Sequence, residues 1–249
     1  PSRNGSGDET IECIMSLILC IETGTDVCSV GLAENGVLTA LRESSGRDHA
    51  RNVAVYVDEL LREREVAADE IDAIAVGKGP GSYTGLRIGV SFAKGLCYGL
   101  RKPLIAIGSL DALVEVARED AEAGIIDIDN FEGATLCPMV DARRMEVYTQ
   151  LFNGRGETLS EVEAKVIDEQ SFVDEIAVAE EFVIFGNGAA KCAGTLAAKA
   201  KLVEVSPSAR GLARLAQEAL DAGRTEDIAY FEPFYLKDFI VTTSKKRLL

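Results

Sequence analysis

Histidine occurs once in this 249-residue chain and tryptophan not at all. The lone histidine, His49, excludes any mechanism that needs a histidine pair, a His-x-x-x-His metal site included. Six cysteines are present (Cys13, Cys20, Cys28, Cys97, Cys137, Cys192), but none forms a Cys-x-x-Cys pair and most sit inside apolar runs. That pattern points to buried, reduced thiols of a cytoplasmic protein rather than disulfides or zinc ligands. Positive charge is scarce: 26 Lys and Arg against 41 Asp and Glu leave a net charge of −15. Nucleic-acid binding needs clustered cations to displace counterions, so a link to RNA or DNA is expected to run through a partner. No apolar run approaches the ~18 residues of a membrane-spanning helix, and no secretory signal is evident.

Glycine, by contrast, is plentiful and concentrated. The run Gly77-Lys78-Gly79-Pro80-Gly81-Ser82-Tyr83-Thr84-Gly85-Leu86-Arg87-Ile88-Gly89 follows a strand-like stretch, residues 71–76, and opens a helix-like one. Without Cβ atoms such a loop can turn tightly and be approached closely, and free N–H groups at a helix start can cradle an anion. The spacing is neither that of a P-loop nor that of a dinucleotide fingerprint. Catalysis, nucleotide or anion contact, and a structural turn all stay open from spacing alone. In the helix that follows, Gly85, Gly89 and Ala93 recur four apart, with Gly95 and Gly99 in a second row. Glycine costs a helix roughly 1 kcal/mol each. The row is therefore expected to allow close approach, either to the chain's own sheet or to another subunit.

The length permits one large domain or two modest ones. Apolar runs at 17–21, 27–33 and 37–41, with Asn35-Gly36 between the last two, predict three antiparallel strands. Val53, Val57, Leu60 and Leu61 fall at helical spacing. A strand at 71–76, a helix at 85–99, a strand at 104–107 and a helix over 110–122 capped by Ser109 follow. The order β-β-β-α-β-α-β-α describes a ribonuclease-H-like unit. The pattern partly restarts after a polar segment at 124–133. Strands are expected at 135–140, 146–152, 182–185 and 202–205, and helices near 168–178, over 189–200 and over 208–221. Three parts are expected: an expression remnant or unstructured extension over 1–14, with Met15 as natural start, an N-terminal domain over 15–125, and a smaller C-terminal α/β domain over 126–249 with an extended tail.

Other candidates carry weaker signals. The turn Glu22-Thr23-Gly24-Thr25 has the hydroxyls and glycine of a phosphate hairpin, but also of any hairpin. Glu22, Asp72 and Asp141 are the carboxylates a two-metal nuclease would need, against which the acidic composition argues. His49 is expected at the surface or in an interface. Asp141-Ala142-Arg143-Arg144 reads as a solvated hairpin or an arginine contact to a partner. Glu232-Pro233-Phe234-Tyr235-Leu236 reads as an extended segment that docks, and Lys245-Lys246-Arg247 as a short basic tail.

Taken together, Ile18-Leu19-Cys20-Ile21-Glu22-Thr23, Cys28-Ser29-Val30, the run Gly79 to Gly89, Gly108-Ser109-Leu110, Asp141-Ala142-Arg143 with Glu146-Val147-Tyr148, and Pro233-Phe234-Tyr235-Leu236 resemble the TsaB (YeaZ) family of bacteria. The resemblance spans about residues 15–236. It implies an α/β, actin-like (ASKHA) fold of two related ribonuclease-H-like halves. It further implies a non-catalytic scaffold in the formation of N6-threonylcarbamoyladenosine in tRNAs that read codons beginning with A. The implied partners are the catalytic paralogue TsaD, the ATPase TsaE and a second copy of the chain, with tRNA met only indirectly and no membrane. The family's dimer surface, carried over, falls on helices at about 50–63 and 85–99, with Val53, Val57, Leu60, Gly85, Ile88, Gly89, Phe92 and Ala93 as interface residues. Gly79, Pro80, Gly81, Ser82, Tyr83, Thr84, Gly85 and Arg87 form the motif loop, as a nucleotide or interface contact. No catalytic or metal residue is implied, and ATP or ADP at the subunit boundary is left open. Glu22 departs from the aspartate of many actin-like ATPases. The alternatives are an ATPase or small-molecule kinase in its own right and, with least support, a metallopeptidase.

Overall fold

The computed structural model describes residues 15–46, 48–196 and 200–237. The extension over 1–14 and the tail Lys245–Arg247 lie outside the described residues. The first sheet begins as a meander of β1 (Leu17–Glu22), β2 (Val27–Glu34) and β3 (Val37–Ser45). Asn35 and Gly36, at φ 50° and 78°, supply the tight β2–β3 turn. The chain continues through α1 (His49–Glu63), β4 (Ala73–Gly79), α2 (Tyr83–Leu100) and β5 (Leu104–Gly108). Strand order is β3-β2-β1-β4-β5, antiparallel through the meander and parallel from β1 to β5.

After α3 (Ser109–Glu122) come β6 (Thr135–Asp141), β7 (Glu146–Thr149), β8 (Phe152–Asn153), β9 (Glu163–Val166), α4 (Val173–Val178), β10 (Phe182–Phe185), β11 (Ala200–Leu202) and α5 (Ala213–Asp221). Read from one edge, β9-β7-β6-β10-β11 repeats the order and strand directions of the first sheet, with β8 added beside β6. The two halves are thus built on one plan.

Alternation along β1 and β4 sends side chains to two cores. Leu19, Ile21, Ile74 and Val76 meet Val53, Val57 and Leu60 of α1 and Val90, Ala93 and Cys97 of α2. On the other face Ile18, Cys20, Ala73 and Ala75 meet Ala209, Leu212, Ala213 and Ala216, just before and within α5. The helix that ends the second half therefore covers the first sheet. Conversely, Leu113, Val114 and Ala117 of α3, which ends the first half, pack with Leu136, Val140, Phe152 and Phe185 around the second. Ion pairs tie the exchanged helices together: Arg214 clasps the buried Glu115 at 2.6 and 2.7 Å, and Arg210 meets Asp120 at 2.7 Å.

Four expectations shift. The strand expected over 146–152 breaks into β7 and β8, because Leu151 turns its backbone to Ser160 Oγ and Leu159 N instead of to β6. The helix expected over 189–200 is a series of turns through 187–196 that mixes bonds to the third residue back (Ala189 to Gly186, Cys192 to Ala189) with bonds to the fourth (Ala193 to Ala189, Leu196 to Cys192). Gly186 and Gly188 are wedged against the Met139–Asp141 backbone there, which holds the segment to the sheet rather than letting it coil into a helix. The last strand is 200–202, earlier than expected, and the helix near 168–178 starts at Val173, since the Asp168 carboxylate takes up Gln170 N and Ser171 Oγ in a turn. Strand β9, Glu-Ala-Lys-Val, has no fully buried residue, and its polar–apolar alternation lasts only four residues, too short to mark a strand.

Candidate functional site

Glu22 ends β1 and is only 1% exposed. Its Oε1 accepts from Gly24 N at 2.6 Å and its Oε2 from Ser109 Oγ at 3.2 Å. The carboxylate lies so close over Gly77 that a Cβ there would collide with it. Burial pushes the Glu22 carboxyl above its ordinary value, with the bonds from Gly24 and Ser109 opposing the shift. Ser109 is therefore not the cap expected of it: Gly108 holds the cap position of α3, and the Ser109 hydroxyl, already inside the helix, turns to Glu22. His49 also departs from expectation. It is 6% exposed, and its Nε2 lies 2.9 Å from the Thr25 carbonyl, so it carries the proton and donates. The first hairpin is thus braced from three sides by α1, α3 and the glycine loop.

The loop itself explains the glycines one by one. Gly79 has φ +105° and precedes a cis Pro80. Ser82 caps α2, accepting from Gly85 N at 3.3 Å, and donates its own N–H to the Gly24 carbonyl at 2.6 Å. Added Cβ atoms at Gly81, Gly85 and Gly89 would strike Gly24 O, Thr23 O and Thr23 Oγ1 respectively. Thr23 returns the contact by donating to the Gly85 carbonyl at 2.9 Å. Glycines at this spacing form a slot into which the Glu22–Thr25 hairpin seats.

The residues expected at a partner surface divide accordingly. Val53, Val57, Leu60, Gly85, Gly89 and Ala93 are buried within the chain's own core, and Gly85 and Gly89 lie against Thr23. Ile88 and Phe92 are half-buried at the core's margin. Thr84 and Arg87 are exposed, as are Gly95 and Gly99, whose absent Cβ atoms would meet nothing.

Residues 226–237 form a strap along α2, as expected of a docking segment. Glu226 pairs with Leu104, Ile228 and Phe231 pack on the core, and Lys94 Nζ donates to the Phe231 carbonyl at 2.8 Å. Phe234 N donates to the Lys78 carbonyl at 2.7 Å. Tyr235 packs on Tyr83 (centroids 4.7 Å apart), Arg87 lies over the Tyr83 ring at 4.6 Å and bonds Tyr235, and Lys237 pairs with Glu146 of β7. Nothing in the sequence pattern links Tyr235 to Tyr83 or Arg87.

The three carboxylates weighed for two-metal chemistry each have separate duties. Asp72 accepts from Leu17 N, and Asp141 takes Arg143 N and pairs with Lys191. Among the described residues no three His, Cys, Asp or Glu side chains converge. Arg143 and Arg144 are exposed in left-handed turn conformations, φ 71° and 50°.

The family model described as TsaD, tRNA N6-adenosine threonylcarbamoyltransferase, matches residues 41–244. The tRNA threonylcarbamoyladenosine biosynthesis protein TsaB of Escherichia coli is 28% identical over 236 residues, covering 89% of this chain and 94% of that protein. The structure of YeaZ from Pseudomonas aeruginosa superposes with a TM-score of 0.73 at 29% identity, over 89% of this chain and all of that one. The chain belongs to this family, in its TsaB (YeaZ) branch. TsaB of Haemophilus influenzae is 36% identical over 131 residues, a stretch covering 53% of this chain and about half, 51%, of that protein. The TsaB-family match carries with it the actin-like fold already evident in the two matching sheets. Among the described residues no helix is long and apolar enough to cross a membrane.

Proposed function

We propose that this TsaB-family chain is a non-catalytic scaffold of the cytoplasmic system that forms N6-threonylcarbamoyladenosine in tRNA. In this reading it pairs with the catalytic paralogue TsaD, works with the ATPase TsaE, meets tRNA through the complex, and self-associates when the paralogue is absent. The names of its relatives supply the pathway. The observation that carries the accessory role is the filled phosphate hairpin. Where an actin-like ATPase would receive phosphate, Glu22 is folded onto Gly24 and Gly77, and Gly81 and Gly85 are pressed against the Gly24 and Thr23 carbonyls. The chain's one histidine is spent on Thr25.

The reading is tested by reconstitution. The purified chain alone is expected neither to turn over ATP nor to modify tRNA, and its addition to TsaD and TsaE to restore modification. Efficient modification by TsaD and TsaE without it would overturn the role. So would metal-dependent ATP turnover by the isolated chain that is lost in Glu22→Ala.

A further inference from the structure

The two halves are joined unequally. On the α3–α5 side the junction is close and polar. Arg214 and Arg210 hold the buried Glu115 and Asp120, and Gly211 lies so near the Ala112 carbonyl that a Cβ would strike it. The Ala209 amide donates to Ser29 Oγ at 2.7 Å, and Ser29 and Ser208 donate to the Glu43 carboxylate at 2.7 and 2.6 Å. These bonds tie the segment entering α5 to the first sheet. On the other side stand the turns of the two hairpins, residues 22–26 and 141–146. Asn187 bridges them, accepting from Asp141 N at 3.0 Å and reaching Asp26 Oδ1 at 3.4 Å. The strap crosses the same gap. Phe234 N donates to the Lys78 carbonyl near the end of β4, and three residues on, Lys237 pairs with Glu146 at the start of β7. Four residues reach at most ~14 Å when extended, so β4 and β7 cannot part further than that while both ends hold. The Lys237–Glu146 pair is partly exposed, its side chains 40% and 22% accessible, and exposed pairs are weak. A hydrogen bond as long as Asn187 to Asp26 adds little. One side of the junction is thus fixed and the other is easily released.

We propose that residues 234–237 are a clasp across the mouth between the two halves, whose release lets the halves part about the α3–α5 side. This is a hinge closure with the hinge at the exchanged helices and the catch at the strap. Tyr235, inside the clasp, stacks on Tyr83 and bonds Arg87 of α2. Opening of the mouth and release of Arg87 are therefore one coupled event. A strap that merely packs on α2 would leave the separation of the halves unchanged when Lys237 is altered.

The test measures the separation of the halves in the full chain by spin-label distance spectroscopy. Labels are placed through Ser45→Cys, at the end of β3, and Glu169→Cys, in the turn before α4, both exposed positions. The cysteines among the described residues are buried, Cys13 is replaced by Ser, and excess unlabelled chain suppresses distances between copies. The chain with its clasp intact is expected to give one narrow distance. Lys237→Glu should add a longer one. Tyr235→Ala should do the same, because the strap then loses its hold at the α2 end. Combining Lys237→Glu with Glu146→Lys rebuilds the pair in reverse and should restore the single distance. That restoration also separates opening from misfolding in the Lys237 variant. Unchanged distances in either single variant overturn the clasp, as does a longer distance that the exchange fails to reverse. A broad distribution with the clasp residues intact overturns it too, since the mouth would then not be held. The scaffold reading stands or falls separately, by reconstitution.

Discussion

At the scale of single residues, two glycines of one helix should respond in opposite directions to the same methyl group. Gly85→Ala drives a Cβ into the Thr23 carbonyl and is expected to cost ~1–3 kcal/mol. Gly95→Ala meets nothing and should gain up to ~1 kcal/mol from helix propensity. Urea unfolding of the two variants checks both signs. Glu22 makes a pH prediction. Its carboxyl is raised from the ordinary 4.5 by burial, so above that value the unfolded chain releases the proton more readily than the folded one. Stability therefore falls as pH rises from about 4.5 through the raised native value. Glu22→Gln removes this slope, and its stability relative to wild type should improve from pH 5 to pH 8 in denaturant titrations. A variant with the same pH dependence as wild type would mean that the Glu22 carboxyl is not raised in the folded chain. The glycine spacing was legible in sequence as a demand for close approach. That the approaching group was Thr23, some sixty residues earlier, was not, because a missing Cβ carries no label for the atom that fills its place.

At the scale of elements, the α3–α5 contact is asymmetric. Glu115 is buried, its side chain 6% exposed, while Arg214 is 47% exposed. Arg214→Met leaves a buried carboxylate with only Arg118, at 3.5 Å, and is expected to cost about 2 kcal/mol. Glu115→Gln should cost less than half as much, since Arg214 can return to water. Equal costs in thermal or denaturant unfolding would contradict this. Elements with clean periodicity (β1, β2, α1, α2) were readable. Those that failed had local reasons: β9 is four residues long and buries none of them fully, and the expected helix over 189–200 is held down at Gly186 and Gly188. The strap was readable as a segment that docks, from its aromatics and proline, but not in its target.

At the scale of the molecule, the exchange of α3 and α5 makes the halves interdependent. A chain ending at residue 207 would expose Ile18, Cys20, Ile105 and Ile107, and is expected to be insoluble or to lose cooperative unfolding, measured by yield and calorimetry. A soluble, cooperatively folding truncation would show that the first sheet stands without α5. By itself the sequence determined the strands and helices of the first half, the acidic character, the pairing of two similar units and the family, because alternation, helical spacing and a dense glycine motif are local signals. Only the tertiary structure decided that the glycine loop seats the first hairpin, that His49 and Ser109 brace it from within, that each half lends its last helix to the other, and that the C-terminal strap finishes the face of α2. Those contacts join residues far apart in the chain. The energy that selects them, close packing and burial of paired polar groups, depends on which surfaces meet and not on what neighbours what in sequence.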